Sequence, residues 1–75
     1  MRYSSEILST VEAGRMLRKS KPTIITYIDR YRKHAAGDKS VESWLYGWKE
    51  GRVYRTTYQA VCAYARGIYN YEPYG

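Results

Sequence analysis

Residues 10–31, TVEAGRMLRKSKPTIITYIDRY, carry two short helical patterns that meet at a Ser-Lys-Pro junction, and this junction constrains the fold most. Ala13, Met16 and Leu17 recur at three- and four-residue spacing, which marks one apolar helix stripe. Thr10 stands where its hydroxyl can cap that helix, and Glu12 falls in the first turn, where negative charge favours the helix dipole. A second stripe of Ile24, Tyr27, Ile28 and Tyr31 follows, with Ser20 as its cap and Lys21 and Pro22 in its first turn. Proline is tolerated there because the amide hydrogen it lacks would have had no partner inside the helix. Two helices joined by a tight corner are expected. That is the plan of a helix-turn-helix, whose second helix presents a polar face to a groove.

At about 100° per residue, the face opposite the second stripe is centred near Pro22, Thr26 and Lys33, with Asp29 and Arg30 flanking. Thr23 and Ile25 fall at its borders. An aliphatic Ile25 at that position is either under-packed or pressed onto a partner.

Beyond the second helix, HAAGDKSVE loses periodicity, and Gly37-Asp38 signals a turn in a connection of moderate length. The next stretch, SWLYGWKEGRVYR, is aromatic and β-branched. Trp44, Tyr46 and Trp48 alternate as in a strand, and the break at Lys49-Glu50-Gly51 predicts a β-hairpin. Thr56 or Thr57 then caps a last helix with a stripe of Tyr58, Val61, Cys62, Ala65 and Ile68, ended by Gly67. A short extended segment at Ile7 and Leu8 leads into the first helix. The expected fold is α+β, a small winged helix-turn-helix running helix, helix, β-hairpin, helix. Residues 1–68 form the domain and residues 69–75 a Tyr-rich tail.

Seventy-five residues allow one small core, since a chain of this size buries only about 60% of its unfolded surface. The net charge of +6 and a pI near 9.6 point to a polyanionic partner, either nucleic acid or an acidic membrane surface. No apolar run is long enough to span a bilayer, and no apolar segment follows Arg2 as a signal peptide would need. The expectation is a soluble, cytoplasmic, nucleoid-associated protein without membrane contact. Single copies of Cys62 and His34 leave no internal disulfide and no zinc cluster. Cys62 is read as a small core residue in preference to a reactive thiol, and His34, after the basic RYRK run, as a solvated helix-end residue. A catalytic carboxylate pair, a nucleophile with a neighbouring base and a Gly-rich phosphate loop are all missing from the sequence. A binding protein is expected, with no enzymatic activity, cofactor or metal.

Groove recognition needs side chains projecting from one rigid helix face, with cations meeting phosphates on each side. Thr26 is short enough to let the helix lie deep, and Lys21, Thr23, Arg30 and Lys33 frame it. Arg15, Arg18 and Lys19 precede the corner as phosphate contacts. Lys49, Arg52 and Arg55 place positive charge on the hairpin, where guanidinium groups can sense minor-groove width. Arg52 and Arg55 are three apart, so strand alternation sends them to opposite faces. The competing reading makes these residues the solvated side of an amphipathic helix and an ordinary charged hairpin. Trp44, Trp48, Tyr27, Tyr31 and Tyr64 are read as core, the alternative being a stacking platform for single-stranded bases.

The pattern EAGRML, Ser20, Thr23-Ile24, Tyr27-Ile28, then GRVYRTTYQAVCAY resembles the MerR-type winged helix shared by phage excisionases and related phage DNA-binding modules. The resemblance spans residues 8–64. It departs from the family pattern at Thr56, where an aliphatic residue usually closes the wing, and at Gly14, which replaces the second Ala of the helix opening. The connection after Tyr31 is also longer than usual. The resemblance implies sequence-specific binding to double-stranded DNA and an excisionase-like role. In that role, copies on adjacent sites bend DNA and direct an integrase toward excision. A transcriptional regulator with the same fold is the related alternative. A protein-interaction module using the Tyr-rich tail and Ile25 is the alternative of a different class.

Overall fold

Ser9, one residue ahead of the expected cap, starts the first helix: its Oγ accepts from the Glu12 amide at 3.2 Å while its own amide donates to Glu12 Oε1 at 2.9 Å. This reciprocal capping box satisfies two backbone donors at once and releases Thr10 to the interior, where it is buried. The computed structural model describes residues 6–73, so residues 1–5 of the polar lead and residues 74–75 of the tail lie outside the described residues. Six elements follow in order: β1 (Ile7–Ser9), α1 (Thr10–Leu17), α2 (Lys21–Ala35), β2 (Gly47–Glu50), β3 (Val53–Thr57) and α3 (Tyr58–Ala65). Three helices pack with a three-stranded antiparallel sheet of order β1-β3-β2. The expected extended segment at Ile7 and Leu8 is thus a strand of the sheet, with Leu8 opposite Thr56.

The three helix ends differ in an instructive way. Gly37 and Gly67, at φ +105° and +89°, take the left-handed conformation that follows α2 and α3. The amides of Asp38 and Ile68 then return to the carbonyls of Lys33 and Ala63 at 3.0 and 2.9 Å. α1 has no glycine at its end, and Arg18 adopts the left-handed conformation itself, at φ 59° and ψ 44°. That conformation costs a residue with a Cβ roughly 1–2 kcal/mol. Arg18→Gly is therefore expected to raise stability by about 0.5–1 kcal/mol, read as a higher denaturant midpoint at unchanged slope. A lower midpoint would contradict the cap. Gly14 serves the same corner through space: a Cβ there would sit 2.6 Å from the Lys19 carbonyl oxygen. The absence of a Cβ at Gly14 lets the chain fold back tightly before α2.

Leu8, Ala13, Ile24, Ile28, Leu45, Ala60 and Val61 make the core, with Leu17, Tyr27, Tyr46, Tyr54, Tyr64 and Tyr71 packed around it. Ile24 and Ile28 sit on the expected face of α2. In α1 the buried residues are Thr10, Ala13 and Gly14, and Met16, assigned to the stripe from sequence, is 42% exposed. α3 buries Val61 of its expected stripe but otherwise a different set of residues. Ala60, Val61 and Ala63 are buried, whereas Tyr58, Ala65 and Ile68 are exposed and Cys62 is half-buried. The segment YQAVCAYA is apolar on every side.

Thr56 is fully buried, and its hydroxyl donates to the Tyr46 carbonyl at 2.7 Å. A polar residue therefore stands in the core without leaving its hydroxyl unpaired. Trp44 and Leu45 are buried but precede the strand that their alternation suggested. Their amides bond to the carbonyls of Tyr69 (2.7 Å) and Tyr27 (3.2 Å), not to a neighbouring strand. The Trp44 indole donates to the Tyr71 carbonyl at 3.1 Å and stacks on the His34 ring at 3.9 Å. His34 Nε2 in turn lies 3.0 Å from Glu72 Oε2. His34 is thus half-buried and held, not solvated, and residues 69–72 lie against the body of the fold.

Candidate functional site

Seven of the side chains singled out from sequence line two basins, and Thr23, Lys49, Arg52 and Arg55 line neither. The first surrounds the corner. Arg15, Arg18, Lys19 and Lys21 line a shallow concavity of about 260 Å³ with Thr10, Val11 and Gly14. α1 delivers Arg15, the left-handed cap delivers Arg18, and the first turn of α2 delivers Lys21, so an anion here meets fixed positive charge near the positive end of a helix dipole. Ser20 occupies the cap position of α2 but makes no side-chain bond to the helix amides. Its hydroxyl lies 2.9 Å from that of Thr23.

The second basin is an open groove of about 580 Å³ between α2 and the hairpin, lined by Thr26, Asp29, Arg30, Arg32, Lys33, Ala36 and Tyr54. Thr26 lines it and is exposed, as expected. Its hydroxyl donates to the Pro22 carbonyl at 3.0 Å, which leaves the oxygen free to accept from an incoming amine. Arg30 lies 5.8 Å from the Tyr27 ring centroid and 3.4 Å from the Ser43 hydroxyl. Ile25 is half-buried.

Register decides what the hairpin offers. Lys49 pairs with Tyr54 and Trp48 with Arg55, so Lys49 and Tyr54 share one face and Trp48 and Arg55 the other. The first face is turned to α2: the Tyr54 hydroxyl donates to Asp29 Oδ1 at 2.9 Å. Lys49 Nζ lies 5.5 Å from the centre of the Tyr54 ring. Hydrogen bonding to Asp29, followed by desolvation, raises the pKa of the Tyr54 phenol. Arg55 belongs to the opposite face and pairs with Glu50 at 3.6 Å, while Glu50 also accepts from the Trp48 indole at 2.8 Å. Arg52 lies not on a strand but in the Gly51-Arg52 turn, exposed at the tip. Strand alternation therefore does not apply to Arg52.

Two members of the groove escaped the sequence reading. Arg32 donates from Nη1 to Asp29 Oδ1 at 3.0 Å and reaches the Tyr54 hydroxyl at 3.5 Å. An acidic residue three positions ahead of an arginine on a helix is a readable signal for the first contact. Tyr54 could be placed only by the hairpin register.

The aromatic residues are largely engaged with one another. Tyr27 stacks on Tyr64 at 5.0 Å, and Tyr64 meets Tyr69 edge-on at 4.8 Å. Burial, with the Tyr27 hydrogen bond second, pushes the Tyr64 phenol up to about 12. Among the described residues no three His, Cys, Asp or Glu side chains group as metal ligands, and no helix is long and apolar enough to cross a membrane. Comparisons with protein-family models, with curated proteins and with solved structures each return no match.

Proposed function

We propose that this chain is a sequence-specific, double-stranded DNA-binding protein of winged helix-turn-helix type, with α2 as the reading helix and the β2–β3 hairpin as the wing. The observation that carries this reading is the shared groove. Thr26, Arg30 and Lys33 on the outward face of α2 line one groove with Tyr54 of the hairpin, whose face Lys49 shares, and Arg15, Arg18, Lys19 and Lys21 line a second concavity at the corner. A rigid helix face flanked by phosphate-binding cations is what major-groove reading requires. An ordinary solvated helix face would not need a hairpin latched beside it. A single-strand stacking platform is less well supported, because the aromatic residues are engaged with one another in stacked and edge-on contacts. Within DNA binding, the family resemblance favours an excisionase-like factor that binds and bends DNA to direct an integrase, with further copies of itself on adjacent sites. A transcriptional regulator would use the same surface.

Substitution at the reading face tests this. Thr26→Ala and Arg30→Ala open no core cavity, and each is expected to weaken binding to the selected site by about 1–3 kcal/mol. Arg52→Ala should weaken binding to every sequence and lower the salt slope by about one unit. Arg55→Ala should do little, because Glu50 holds Arg55 on the face away from the groove. Arg18→Gly should weaken binding while stabilising the fold. Unchanged affinity in both α2 variants, measured by fluorescence anisotropy on the selected duplex, would remove α2 as the reader.

A further inference from the structure

A carboxylate is out of place on a surface that meets phosphates, yet Asp29 lines the groove among Arg30, Arg32 and Lys33 with its side chain 39% exposed. Its neighbours hold it in one orientation. Arg32 Nη1 at 3.0 Å and the Tyr54 hydroxyl at 2.9 Å both donate to Oδ1. These bonds come from two elements, one on α2 and one on β3, so the plane of the carboxylate is fixed relative to both helix and hairpin. Neither bond engages Oδ2, which is left as an acceptor with a defined position and a charge partly offset by Arg32.

Resting on the duplex-DNA reading above, we propose that Asp29 Oδ2 reads a base edge and selects cytosine through its N4 amine, with Arg32 and Tyr54 as positioning residues. In the major groove cytosine presents an amine donor, whereas guanine presents two acceptors and thymine an acceptor beside a methyl group. A fixed carboxylate attracts the first and is repelled by the others. Adenine places an N7 acceptor next to its amine, which leaves cytosine the best match for an acceptor-only group. Much of the selectivity comes from rejection, since a negative charge set against an acceptor edge penalises the wrong base. Asp29 lowers affinity for duplex DNA in general and raises discrimination at one position.

Selection from a randomised duplex library, followed by affinity measurement on single-position variants of the chosen site, tests this. The wild type is expected to prefer cytosine at one position by about tenfold or more. Asp29→Ala should lose that preference alone and bind random duplex more tightly. Asp29→Asn keeps an oxygen for Arg32 and Tyr54 and adds an amine, so its preference should move from cytosine toward adenine, which an amide can meet with a donor and an acceptor. Tyr54→Phe should blunt the cytosine preference without raising affinity for random duplex, since it frees the carboxylate but leaves its charge. A thermal melt of each variant separates these effects from loss of fold. If both Asp29 variants keep the wild-type preference at every position, the proposal is overturned while the DNA-binding reading stands. If the wild type binds no duplex, both fall.

Discussion

Raising the salt from 50 to 200 mM is expected to weaken duplex binding by about 10²–10³-fold. The reasoning counts cations on the two basins. Arg15, Arg18, Lys19 and Lys21 surround the corner, and Arg30, Lys33, Lys49 and Arg52 border or extend the groove. Not all of them reach phosphate in one pose. With about four to six phosphates neutralised, each releasing its condensed counterion, log K falls against log salt with a slope of roughly −4 to −5. Arg32 and Arg55 are left out of the count because Asp29 and Glu50 already hold them. Titrations by fluorescence anisotropy at several salt concentrations give the slope directly. A slope near zero, or tighter binding to single strands than to duplex, would refute electrostatic docking on a duplex.

The second large effect concerns the fold that holds the reading helix in place. Ile28 is fully buried and lies over Gly47, at the contact between α2 and the start of β2. Ile28→Ala is expected to cost about 2–5 kcal/mol, the transfer term plus the cavity left behind. A domain of this length has a total stability of only about 4–11 kcal/mol, so one substitution removes a large share. At roughly 4–8 °C per kcal/mol for a domain of this size, the melting temperature should drop by about 8–40 °C. Thr26→Ala, two positions away on the exposed face, should stay within about 0.5 kcal/mol of wild type. Circular dichroism melts of the two variants make the comparison. Similar melting temperatures for both would mean that α2 does not bury the Ile24/Ile28 face.

The outcome for particular residues shows which physics is readable in a sequence. The two helices around the Ser-Lys-Pro corner, the apolar face of α2 and the glycine ends of α2 and α3 were legible, because each depends on spacing within a few residues. The capping box at Ser9 was legible in principle from Ser-x-x-Glu, yet Thr10 competes for the same role one position on. β1 could not be recognised as a sheet member, because a three-residue strand takes its identity from a partner nearly fifty positions away, at Arg55 to Thr57. The buried face of α3 was unreadable because the helix is apolar all round. His34 looked solvated beside charged neighbours, but Trp44 and Glu72 claim it from distant parts of the chain. The candidate site divides in the same way. Thr26, Arg30 and Lys33 follow from helix periodicity, whereas the Asp29–Arg32–Tyr54 cluster needs the hairpin brought against the helix.

On the DNA-binding proposal, the outward face of α2 and the near face of the hairpin form one duplex-binding surface. Backbone amide NMR shifts on titration with duplex DNA carrying the selected site test it most directly. The account predicts that residues 21–33 and 49–54 shift together, with the corner around Arg18 and Lys19 joining them, while residues 69–72 and the exposed residues of α3 stay still. Shifts confined to residues 69–72 or to the Trp48–Arg55 face, with α2 unmoved, would contradict it.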